Sequence, residues 1–181
     1  MIKNETTVMD AEYKSIHYSC RLDAEVYSSL ADEAKQKDIS MNNLLNHVAR
    51  EYVRKRSFEK IGMTSVCKDA LREVFDMLDD KQLIKLATKL GSSNAVEYVR
   101  MLYHDTNKFS VLKFLDLWGS RFSGYEHKNH NFVHRFSIPH EINEKYSLFM
   151  KEYITSFLES AINVPVKVQS TSRAVMFSVT D

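Results

Sequence analysis

Between Ser15 and Arg56 the chain reads SIHYSCRLDAEVYSSLADEAKQKDISMNNLLNHVAREYVRKR, a short strand followed by two amphipathic helices. Ile16, Tyr18, Cys20 and Leu22 alternate with His17, Ser19 and Arg21, the period of two that sends one row to a buried face and the other to solvent. Asp23 is placed to cap the first helix, with Leu22 and Tyr27 set as a hydrophobic staple. Val26, Tyr27, Leu30, Ala31 and Ala34 then recur at helical spacing, opposite Glu25, Asp32, Glu33, Lys35 and Lys37. Ser40 is a second N-cap, and Met41, Leu44, Leu45, Val48, Ala49, Tyr52 and Val53 form a longer stripe that ends in Arg54, Lys55 and Arg56.

This arrangement constrains the fold because a segment of about 40 residues cannot bury enough apolar surface by itself and needs a metal, disulfides or a partner. Its single strand also has two unpaired edges. The simplest completion is the same strand from a second copy, giving a two-stranded antiparallel ribbon across a two-fold axis.

The segment resembles the ribbon-helix-helix fold of the Arc and MetJ repressors over residues 15 to 56. The resemblance implies an intertwined homodimer whose outward ribbon side chains enter the major groove of double-stranded DNA. In this sequence those positions are His17, Ser19 and Arg21. Arg21 can donate two bonds to guanine, Ser19 can donate or accept, and His17 can do either according to tautomer. The resemblance also places a DNA phosphate at the start of the second helix, at Ser40, Met41, Asn42 and Asn43, where free amides and the helix dipole favour an anion. The family commonly has glycine in the turn between its helices. Here the turn is KDIS, Lys37 to Ser40, and Asp38 takes the left-handed position that aspartate tolerates better than most residues.

Charge points elsewhere. The formal net charge is +1, and residues 1 to 60 hold ten basic and ten acidic side chains, so no broad basic footprint marks a nucleic-acid binder. Positive potential must be local, around Arg21, Lys14 and the helix amides.

Residues 57 to 65 contain Gly62 and little periodicity, which puts a boundary between a domain at 15–60 and another at 61–181, after an N-terminal arm at 1–14 expected to be flexible. The second domain starts helical. Cys67, Leu71, Val74, Phe75 and Leu78 mark one helix; Leu83, Leu86, Ala87 and Leu90 mark the next, which Gly91 is expected to terminate. Asn94 is expected to cap a third, carrying Val99, Leu102 and Tyr103, and a fourth runs from Ser110 to the break at Gly119. Residues 119 to 131 read as a polar loop and residues 131 to 139 as a strand ended by Pro139. A long helix bearing Ile142, Tyr146, Phe149, Tyr153 and Phe157 follows. VPVKVQ and AVMFSV then make two strands around the turn at 170–173. The expected fold class is α+β: a β-α-α module, a helical segment, and a C-terminal β-α-β-β domain with a three-stranded sheet.

No glycine-rich phosphate loop, paired CxxC, HExxH or nucleophile elbow is present, and the chain has four glycines, so an enzyme is not expected. His127, His130, His134 and His140 fall within fourteen residues. Imidazole is the commonest ligand for transition metals, and on one extended strand His130 and His134 share a face, but the spacing matches no recognised metal motif, and surface or capping roles serve as well. No cofactor is otherwise implied. Cys20 and Cys67 are expected to pack as small hydrophobes. The first residues, MIKNETTVMD, lack an apolar stretch, and the expected setting is cytoplasmic and nucleoid-associated.

The function expected is a transcriptional regulator, a repressor in the simplest case, dimeric through the ribbon, with the second domain available for tetramer assembly or effector sensing. Two alternatives stand beside it: an antitoxin that wraps a toxin with its C-terminal part, and a nucleoid or partition protein with little sequence preference.

Overall fold

The computed structural model describes residues 16–180; Ser15 and the expected arm at 1–14 lie outside the described residues. The chain divides into two compact units, Met1–Arg56 and Ser57–Asp181. The boundary falls a few residues before the expected one at 60.

In the first unit, residues 16–23 have no regular secondary structure, so the strand expected at 15–22 is not formed within one chain. A ladder needs a second edge, and none of the described strands pairs with this segment. Helix α1 spans Ala24–Gln36 and α2 spans Met41–Lys60. Asp23 stands at the N-cap of α1 but its side chain makes no capping bond; its carbonyl accepts from the Tyr27 amide at 2.9 Å. The turn between the helices passes through Asp38 at φ 51°, the left-handed conformation expected of it. Ser40 caps α2 by accepting from the Asn43 amide at 3.2 Å.

The second unit takes in the last turn of α2, from Ser57, and continues with α3 at Lys68–Met77. Helix α4, Asp80–Lys89, starts from a reciprocal capping box in which Asp79 accepts from the Gln82 amide at 2.8 Å and Gln82 accepts from the Asp79 amide at 3.0 Å. Gly91 does not end this helix and Asn94 does not start another. A π-helical turn at Leu90–Ala95 carries the chain straight into α5, Val96–Tyr103, which stops at His104 in the left-handed conformation, φ 65°. Ala87, Gly91 and Ala95 follow one another at intervals of four and all are buried. A side chain at Gly91 would run into the backbone of Tyr153 and Phe157, so glycine serves close approach of two helices, not termination.

Asn107 caps α6, Lys108–Gly119, by accepting from the Ser110 amide at 2.9 Å. Strands β1, Glu126–His130, and β2, Val133–Pro139, form a hairpin whose turn residues Asn131 and Phe132 both have positive φ, 50° and 62°. Helix α7, Glu144–Ile162, is capped by Asn143 and ends at Asn163. The short β3, Gln169–Ser170, and β4, Ala174–Thr180, complete a four-stranded antiparallel sheet in the order β1-β2-β4-β3.

The sheet differs from expectation in three ways. Residues 126–130, read as loop, are a strand; VPVKVQ contributes only Gln169 to the sheet; and the C-terminal order is β-β-α-β-β, not β-α-β-β. The hairpin turn carries no glycine, so the sequence gives no signal for it.

The core forms where α7 packs against α4, the π-turn, α6, β3 and β4. His134, Phe136 and Ile138 of β2 and Val175, Phe177 and Val179 of β4 face inward, alternating with Arg135, Ser137, Met176 and Ser178 on an open face. Phe114 meets Phe157 edge-on at 5.5 Å, Trp118 meets Tyr153 at 5.5 Å, and Phe75 meets Tyr146 and Phe149 edge-on at 4.9 and 5.2 Å. Cys67 departs from its expected packing: it is the exposed N-cap position of α3.

Candidate functional site

The surface of the first unit carries the residues singled out for DNA. His17, Ser19 and Arg21 are exposed. So is the row between them: Ile16 is 88 % and Tyr18 85 % exposed. Tyr27 and Tyr52 on the two helices are also more than half exposed, and among the described residues of this unit only Ala34 and Leu44 are buried. One chain therefore leaves the alternating apolar row and much of its helical stripe exposed. Cys20 shares that exposure with its row.

At the start of α2, Ser40, Asn42 and Asn43 are exposed and Met41 is half-buried. Ser40 satisfies the Asn43 amide, while the amides of Met41 and Asn42 precede the first intrahelical acceptor. Such donors, with the positive end of the helix dipole, suit a phosphate oxygen.

The four histidines of the second unit part company. His127 and His134 come together, Nε2 to Nδ1 at 2.8 Å, and the other ring nitrogen of His127 lies 2.8 Å from Oδ1 of Asp116. Tyr125 donates its hydroxyl to the same carboxylate oxygen at 2.6 Å. A carboxylate accepting both bonds requires the proton of His127 on Nδ1, so in the neutral ring Nε2 accepts from Nδ1–H of His134. Burial, then the hydrogen bond to Asp116 and its charge, push the Tyr125 phenol up and keep it a donor. Gly119 makes room for this tyrosine, since a side chain there would occupy its ring. The result is a satisfied hydrogen-bond chain that ties α6 to β1 and β2, with His127 stacked on Phe136 at 4.2 Å.

His130 is exposed on β1, and the turn at 131–132 puts it on a different strand from His134, so the shared face expected of them does not exist. His140 is buried elsewhere. Its Nδ1 accepts from the Ile142 amide at 3.1 Å and its Nε2–H donates to Ser147 at 2.8 Å. Among the described residues, no three His, Cys, Asp or Glu side chains converge as a metal site would require.

Desolvation, reinforced by the Lys68 cation, lowers the His140 pKa to about 4. The unfolded chain then binds a proton that the folded chain refuses between pH 6.5 and about 4. The stability from this neutral ring is complete above pH 6.5 and is lost as pH falls towards 4, with a limiting slope of about 1.4 kcal/mol per pH unit. Urea midpoints at pH 7 and pH 4.5 should show the fall, and His140→Gln should remove this ring's share of it. Equal slopes in the two proteins would refute the assignment.

Asp116 and Tyr125 were not visible as site residues from the sequence. A signal existed for the first, since it is a lone carboxylate inside the apolar run VLKFLDLWG. Among the described residues no helix is long and apolar enough to cross a membrane. The chain matches no family profile, no curated protein and no solved structure.

Proposed function

We propose that the protein is a homodimeric, sequence-specific DNA-binding regulator whose Ile16–Leu22 segments pair across a two-fold axis and enter the major groove as a ribbon. The exposed apolar row of Ile16 and Tyr18 carries this reading. An alternating segment with its apolar side uncovered is completed by a second copy of itself, because two-fold pairing brings the two apolar rows onto one face and pairs one edge of each strand. That pairing turns His17, Ser19 and Arg21 outward on each strand. The left-handed Asp38 turn and the Ser40 cap add support, since they give the two helices the short connection such a module uses.

Arg21 is the strongest base reader in the set, because its guanidinium can hold two acceptors of one guanine. Arg21→Ala should weaken binding to the cognate site by about 1–3 kcal/mol, leave the dimer folded, and relax preference at one base position per half-site. Genomic footprinting of the tagged protein identifies the site, and gel-shift titration of the variant measures the loss. Unchanged affinity in a folded variant would sink the ribbon assignment. A second unit with its own core supports an effector or assembly role over an antitoxin tail, which orders only on its partner.

A further inference from the structure

The outward face of the sheet in the second unit carries no covering helix residue at its centre but a cavity of about 470 Å³, within the usual range for small-ligand sites. Strand register sets its floor. Lys128 lies directly opposite Arg135, which lies opposite Ser178; one row away, Glu126 faces Ser137, which faces Met176. Lys167, two residues before Gln169, joins the same lining.

Two like charges directly across an antiparallel pair are unfavourable without a compensating anion. Glu126 compensates Lys128, at 2.7 Å. No carboxylate among the described residues lies within ion-pair distance of Arg135 or Lys167. The cavity thus holds three cations and one anion, with hydroxyls from Ser137 and Ser178 between them and the half-exposed thioether of Met176 beside them.

We propose that this face binds a small phosphorylated ligand, its phosphate on Arg135, Lys167 and Lys128 and its apolar portion on Met176. A guanidinium offers two parallel donors to phosphate oxygens, and two ammonium groups add point charges. Met176 supplies an adaptable apolar contact. Single-stranded nucleic acid fits less well, because it calls for exposed aromatic platforms on which bases stack, and the aromatic residues of the lining, Phe136 and Phe177, are buried, 2 % and 4 % exposed. The site is independent of the DNA contact proposed for the first unit.

Titration calorimetry on the full chain in chloride buffer tests it, with inorganic phosphate and phenyl phosphate as probes. Phenyl phosphate should bind more tightly than inorganic phosphate, and Arg135→Gln with Lys167→Gln should weaken both by about tenfold or more. Arg135→Lys, which keeps the charge and loses the fork, should fall between. Met176→Ala should remove only the advantage of phenyl phosphate. All the substituted side chains lie off the buried face of the sheet, and unchanged thermal unfolding verifies the fold. Absence of binding by the wild-type chain up to about 10 mM overturns the proposal. So does equal binding by the double variant. Tighter binding of a random single-stranded oligonucleotide, lost in the same variant, overturns it in favour of a nucleic-acid surface.

Discussion

Gly91→Ala is expected to destabilise the second unit by about 2–3 kcal/mol, one of the largest effects available from a single methyl group in this chain. Alanine would gain about 1 kcal/mol of helix propensity over glycine, so on an exposed helix the substitution would stabilise. The sign reverses here because the added Cβ meets backbone atoms of Tyr153 and Phe157, which cannot rotate away as a side chain could. Relief requires α7 to move off the π-turn, and that motion would open contacts around Ala87, Ala95 and Phe157, all fully buried. Thermal unfolding should fall by roughly 5–10 °C, and the urea midpoint should fall with little change in slope. Gly91→Val should be worse. A neutral or stabilising alanine would show that the two helices do not touch at this point.

The second large effect belongs to the ribbon. Ile16→Glu with Tyr18→Glu is expected to dissociate the proposed dimer, raising its dissociation constant by roughly a thousandfold or more, because each uncompensated charge in a dry interface costs about 3–5 kcal/mol and symmetry doubles every substitution. Specific DNA binding should disappear with it. The second unit should keep its own unfolding transition, since its core lies entirely between Ile61 and Val179. Sedimentation equilibrium, gel shift and calorimetry separate the three readouts. A variant that stays dimeric and still binds its site would show that this row is not the interface, whereas loss of DNA binding with the dimer intact would place it on the DNA side.

Local chemistry made some of the fold legible. Asp38 and Ser40 could be read because a left-handed turn and an N-cap depend on one or two residues and their immediate amides. Pro139 and the turn before β4 were legible for the same reason. Gly91 was misread because a helix terminator and a helix-crossing contact call for the same residue; only the position of α7 distinguishes them. Strand β1 was hidden because EHKNH has no apolar row: its inward positions are His127 and Asn129, and the partners of His127, Asp116 and His134, are ones that the sequence alone does not bring near. The histidine cluster failed as a metal set for a related reason. Proximity in sequence put four imidazoles within fourteen residues, and a hairpin turn then divided them among separate neighbourhoods.

The strand order has a consequence for self-association. An antiparallel sheet offers its two outer strands as templates on which another copy can polymerise. One border of this sheet is β3, two residues long, too short to seed a ladder. The other is β1, whose outward side chains Glu126, Lys128 and His130 would meet their own like charges in a parallel, in-register stack. Both borders are therefore poor fibril seeds, so the sheet itself resists open-ended growth even where its strands lie at the surface.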